Sequence, residues 1–137
     1  LRRNDGMFLI EELERIALQR CSTAREAVQL MGSLAEEYGF ADNGECLTVA
    51  DKNEVWHFEI YGNGTLPQNP SKKSRKPQAD KPGALWVAVR LPDDHVGISA
   101  NIPRIGKVDF ADTLNFMYSK DLKERTKALG LWNGEDD

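Results

Sequence analysis

The chain lacks any apolar run near the roughly 18 residues that a membrane-spanning helix needs. No secretory leader, with its basic start and apolar centre, is visible in this stretch. Cysteine is scarce. Cys21 and Cys46 form neither a Cys-x-x-Cys pair nor a disulfide framework. Two half-buried free thiols are therefore expected, and a single bridge between them stays open only for an exported protein. Only two histidines occur, His57 and His95, and neither has a cysteine or carboxylate neighbour at ligand spacing. No metal site is expected, and no cofactor. Gly62-Asn63-Gly64 follows a strand pattern but opens no helix, so it is not a phosphate loop. A Gly-x-Ser-x-Gly elbow is missing too. The net charge of −4 gives no pull toward nucleic acid or an anionic membrane, so neither is an expected partner.

What is present reads as one α+β unit. A length of 137 residues suits a single domain, and 40% hydrophobic with 29% charged residues is ordinary for a globular chain. The first residue is Leu1 rather than Met, which suggests a segment (a domain or sub-domain) internal to a longer enzyme. A first helix is expected from Met7 to Arg20, capped by Asn4 or Asp5, with Leu9, Leu13, Ile16 and Ala17 at helical spacing. Thr23-Ala24-Arg25-Glu26 then reads as a capping box. Ala27, Val28, Met31, Leu34, Ala35 and Tyr38 form one stripe of the second helix, and Gly39 ends it.

From Cys46 the period changes to two. Cys46 to Ala50 and Val55 to Tyr61 predict a hairpin around Asp51-Lys52-Asn53, with Trp56, Phe58 and Ile60 on one face and His57, Glu59 and Tyr61 on the other. Residues 62–83, rich in proline and lysine, predict a flexible basic insertion. A second hairpin is expected from Leu85 to Leu91 and from Val96 to Asn101, turning at Pro92-Asp93-Asp94. Short helical pieces follow, from Asp112 to Tyr118 and from Asp121 to Leu129, the latter capped by Ser119 and stopped by Gly130. The tail from Gly134 to Asp137 is expected to fray.

Taken in order, several of these pieces resemble a known family. Thr23-Ala24-Arg25-Glu26-Ala27-Val28 and Glu37-Tyr38-Gly39 resemble the helix of the PepD-like bacterial dipeptidases. The likeness continues through residues 49–56, through Trp86-Val87-Ala88 and Arg90-Leu91-Pro92-Asp93-Asp94, through Ser99-Ala100-Asn101, and through Asn115-Phe116-Met117-Tyr118-Ser119. These are cysteine peptidases of the N-terminal-nucleophile hydrolase superfamily. The resemblance implies a stacked αββα sandwich, a dipeptide substrate, and a processed N-terminal cysteine whose α-amino group is its base. That nucleophile and its acidic partner would lie upstream, since neither Cys21 nor Cys46 matches it.

The resemblance offers one site residue. Asn101, in Ser99-Ala100-Asn101-Ile102-Pro103, is similar to a superfamily asparagine that holds the tetrahedral oxyanion. Its other reading is a plain cap at the end of a strand. The 62–83 insertion departs from the family and leaves the substrate contacts of that loop open. Two further functions stay in play: an amidase or acyltransferase of the same superfamily, and a non-catalytic structural or binding module. An open sheet edge could also pair with a second copy, so a homo-oligomer is not excluded. The compartment, bacterial cytoplasm or exported, is not legible.

Overall fold

The computed structural model describes residues 5–64 and 82–135. Two helices, α1 (Ile10–Arg20) and α2 (Ala24–Tyr38), pack on a sheet of β1 (Glu45–Ala50), β2 (Val55–Gly62), β3 (Ala84–Arg90) and β4 (Phe116–Tyr118). The strands run antiparallel in the order β1-β2-β3-β4, and α3 (Leu122–Ala128) follows β4. The fold is α+β, as the sequence indicated. One helical layer and one sheet correspond to two of the four layers that the resemblance implies. None of these helices is long and apolar enough to cross a membrane.

α1 starts three residues later than Met7. The reason lies in the preceding backbone: Met7 N–H donates to the Tyr38 and Gly39 carbonyls (3.0 and 3.1 Å), and Phe8 pairs with Phe40 as an isolated parallel bridge. Those groups are spent before a helix can begin. Leu9 takes the cap position, and the Glu12 carboxylate accepts its N–H at 2.6 Å.

α2 follows the capping-box reading. Thr23 Oγ1 accepts the Glu26 N–H (3.2 Å), while Glu26 Oε2 accepts the N–H groups of Ser22 and Thr23 (2.9 and 3.2 Å). A second carboxylate serves the same end from the β1–β2 turn: Asp51 Oδ2 accepts the Ala24 N–H at 2.8 Å. Four N–H groups at a helix start lack intrahelical partners, so each such acceptor steadies the first turn. At the other end Gly39 has φ +88°, a backbone conformation L side chains rarely adopt. A Cβ there would also lie 2.6 Å from the Pro82 side chain.

The core lies between α1 and α2 and one face of the sheet. Leu13, Val28, Met31, Ala35, Trp56, Phe58, Ile60 and Trp86 are its main buried side chains. Burying each of the large ones contributes about 1.5–3 kcal/mol. The register of β1 and β2 sets Leu47 opposite Phe58 and Val49 opposite Trp56, which puts the predicted face inward. Trp86 fills the centre. Its ring lies 5.8 Å from that of Phe58, and its indole N–H donates to Glu36 at 2.8 Å.

The expected second hairpin does not form as read. Pro92-Asp93-Asp94 does turn, with the His95 N–H on the Pro92 carbonyl at 3.0 Å. Residues 96–101 nonetheless make no strand, and Val96 and Ile98 are 93% and 72% exposed. The edge of β3 is taken instead by β4, with Val87 opposite Tyr118 and Val89 opposite Phe116. The helix expected over 112–118 is likewise replaced. Asp112 accepts the N–H groups of Leu114 and Asn115 and the Asn115 side chain, a side-chain-stabilised turn that delivers the chain into β4. Ser119 does not cap α3 with its hydroxyl. It is fully buried, its Oγ accepts the Trp86 N–H (3.3 Å), and only its carbonyl meets Leu122. Gly130, at φ +71°, follows α3 as expected. Of the 62–83 insertion, Gly62 belongs to β2 and pairs with Ala84. Residues 65–81 lie outside the described residues, as do the last two residues of the tail.

These caps make a pH prediction. The Asp51 carboxyl is held below its ordinary range by the N–H groups of Ala24, Asn53 and Glu54, in that order of weight. A group with a depressed folded-state pKa binds fewer protons when folded, so its contribution is full above the unfolded value near about 4 and fades as pH falls. The stability difference between the wild type and Asp51→Asn is therefore expected to be largest from about pH 5 to 7 and to shrink below about pH 4. Urea midpoints across pH measure it. A difference that grew on acidification would contradict the sign.

Candidate functional site

The outer face of the sheet, opposite the helices, carries the polar groups. β2 alternates strictly, so His57, Glu59 and Tyr61 point there together. The register adds Cys46 opposite Glu59 and Thr48 opposite His57 from β1, and Val87 and Val89 from β3. The loop after β3 reaches this face at Ser99, Arg104 and Ile105.

Glu59 is only 2% exposed, and four donors converge on its carboxylate. The N–H groups of Arg104 and Ile105 (the latter at 3.0 Å) and His57 Nε2 (3.1 Å) meet Oε1, while the Tyr61 hydroxyl meets Oε2 at 3.3 Å. A carboxylate oxygen has lone pairs enough to accept several such bonds at once. On the far side of the imidazole, His57 Nδ1 lies 3.4 Å from Ser99 Oγ. The surroundings act on the neighbouring acids. Burial, then the Glu59 charge, pushes the Tyr61 phenol well above its usual range. Burial first, and Glu59 next, raises the Cys46 thiol as well.

Donor atoms of Cys46, His57 and Glu59 all lie within 4.8 Å of one another. The expectation that His57 stands apart from any cysteine or carboxylate is therefore corrected. The strand alternation had placed His57 and Glu59 on one face, and the hairpin register was the signal that could have added Cys46. Such a donor set is one that zinc accepts. Here the carboxylate also meets the N–H groups of Arg104 and Ile105 and the Tyr61 hydroxyl.

Beside it runs an open groove of about 1010 Å³, lined among others by Thr48, His57, Arg90, Arg104, Lys107 and Phe116. At its rim Glu54 joins three elements. It accepts from Arg25 (2.8 Å) and from the Trp56 indole (3.0 Å), and it lies 3.5 Å from Arg90, which also reaches Asp93 at 2.7 Å. Arg25 in turn lies over the Trp56 ring, 4.6 Å from its centroid.

Asn101 is exposed, in the loop just after Ala100, which bridges to Ile102. It is not among the residues lining the groove. Both cysteines are free and half-buried, and burial is the main cause that raises each thiol above its ordinary value. Neither has the lowered pKa that marks an activated cysteine.

Residues 4–136 match the family described as Peptidase family C69. The chain belongs to peptidase family C69. It is 33% identical over 109 residues to a "Probable dipeptidase" of Latilactobacillus sakei, covering 80% of this chain and 19% of that protein. A "Probable dipeptidase B" of Lactococcus lactis is 33% identical over 122 residues, 88% of this chain and 21% of that one. A "Probable dipeptidase" of Salmonella dublin is 29% identical over 123 residues, 90% and 24%. The chain thus spans about a fifth of the length of these C69 relatives. No solved structure matches it. The PepD-like resemblance carried by residues 23–119 is a resemblance to this family.

Proposed function

We propose that the protein carrying this C69 segment hydrolyses dipeptides through a cysteine at its processed N-terminus, upstream of the stretch described here. The observation that carries this reading is the family match over nearly the whole chain, joined by relatives whose names are dipeptidases. The raised thiols of Cys21 and Cys46 are consistent with a nucleophile elsewhere. In this reading the segment supplies a helical layer, one sheet and one wall of the active site. Asn101 is the group on that wall that donates its side-chain N–H to the oxyanion. The free amine beside an N-terminal thiol serves as the base, and no second side chain is needed for that step.

The test is an assay of the full-length protein against a dipeptide panel and against acyl amides. Expected are dipeptide cleavage that thiol-alkylating reagents abolish, and loss of activity when the N-terminal cysteine is replaced by alanine. Turnover of acyl amides alone would make the protein an amidase of the superfamily. No turnover of either would leave a non-catalytic module.

A further inference from the structure

The side chains of His57 and Glu59 both meet one stretch of chain. Ser99 Oγ reaches His57 Nδ1, and the adjacent N–H groups of Arg104 and Ile105 converge on Glu59. Asn101 sits in the middle of those attachment points. The stretch has no strand ladder of its own, so the side chains of the sheet take over the task of holding it. From this geometry we infer that His57 and Glu59 form a socket that positions the 99–105 loop, with Glu59 as its principal positioning residue. Resting on the proposed role of Asn101, the inference is that Glu59 sets where the oxyanion-holding amide stands.

Chemistry favours Glu59 for this work. Two successive backbone N–H groups pointing at one spot need a strong acceptor, and a carboxylate oxygen accepts several at once. Its burial would be costly without them, because an unpaired buried carboxylate loses its hydration with nothing in return. Loop and carboxylate therefore each need the other. His57 stands between Ser99 and Glu59 and couples the two ends of the loop. Misplacing a reacting group by about 1 Å can lower a rate on the order of 100-fold, so a loosened socket would register in turnover.

Glutamine separates positioning from mere stability. In Glu59→Gln the amide oxygen can still accept from Arg104 and Ile105, and the NH₂ can donate to the Tyr61 oxygen. In Glu59→Ala nothing accepts. Hydrogen exchange of the peptide spanning 99–106 and steady-state kinetics are measured on the full-length protein for the wild type, both Glu59 variants and Asn101→Ala. Expected are protected Arg104 and Ile105 amides in the wild type and in Glu59→Gln. In Glu59→Ala, exchange there is expected to be at least about 10-fold faster, while α2 is unchanged. Its kcat is expected to fall about 10- to 100-fold with KM nearly constant.

Unprotected loop amides in the wild type overturn the socket, and this result needs no variant to fold. Fast exchange in Glu59→Ala with normal kcat overturns the positioning role alone. Unchanged kcat in Asn101→Ala instead removes Asn101 from the site and leaves the amide data standing, so the two failures are distinct.

Discussion

Trp86→Ala is expected to destabilise the chain by about 3–5 kcal/mol, a large share of what a domain of this size has. Trp86 is 1% exposed and joins the centre of the sheet, where it meets Phe58, to α2, where its indole N–H donates to Glu36. Its backbone is bound on both sides as well, since Ser119 Oγ accepts its N–H and the Ser119 N–H reaches its carbonyl. Truncation leaves a cavity that these fixed neighbours cannot close. Gly32 supplies the control. A Cβ built there would meet the Trp86 ring at 2.2 Å, so α2 carries a glycine in its middle to let the indole pass. Gly32→Ala alone is expected to cost about 1–3 kcal/mol by overpacking, despite alanine's better helix propensity. In the Trp86→Ala background the same change meets empty space and gains roughly 1 kcal/mol of propensity. The double variant should therefore be more stable than the sum of the singles predicts. Urea unfolding of the four proteins measures this, and strict additivity would refute the contact.

The second large effect is on turnover. In the full-length protein, Asn101→Ala is expected to lower kcat about 100- to 1,000-fold while KM changes much less. A neutral amide aimed at developing negative charge acts mainly in the transition state, so its loss appears in kcat rather than in substrate binding. Asn101 has few structural ties of the kind that would make alanine unfold the chain, for its side chain is exposed. Asn101→Asp is the sharper companion, because it keeps the shape but puts negative charge where the proposed mechanism forms an anion. It is expected to be slower than alanine. A fall in kcat/KM that came entirely from KM would assign Asn101 to substrate binding instead.

Much of the fold was legible where the determinants are local. The capping box at Thr23 and Glu26 needs four consecutive residues, and the β1–β2 register follows from strict alternation across a short turn. The faces of β2 were readable for the same reason. The misreadings all involve partners far along the chain. Val96, Ile98 and Ala100 alternate like a strand, yet alternation cannot reveal that Phe116–Tyr118 occupies the β3 edge. Three residues are also too few for a period, so β4 passed for part of a helix. Met7 and Phe8 looked helical because their pairing with residues 38–41 lies about thirty positions away. As for the site, the strand face gave His57 and Glu59, and the family resemblance gave Asn101. What joined them was hidden, since the backbone donors of Glu59 stand 45 and 46 residues downstream and are invisible to any side-chain motif.

That distance also sets an order of events during synthesis. Both helices and the β1–β2 hairpin can emerge from a ribosome and begin to pack before Arg104 exists. Until then Glu59 has no backbone donors, and its carboxylate favours water over burial. The outer face of the sheet is then expected to stay wet while the inner face collapses on α1 and α2. Drying it needs Arg104 and Ile105, so the 99–105 loop is expected to settle after the β1–β2 hairpin.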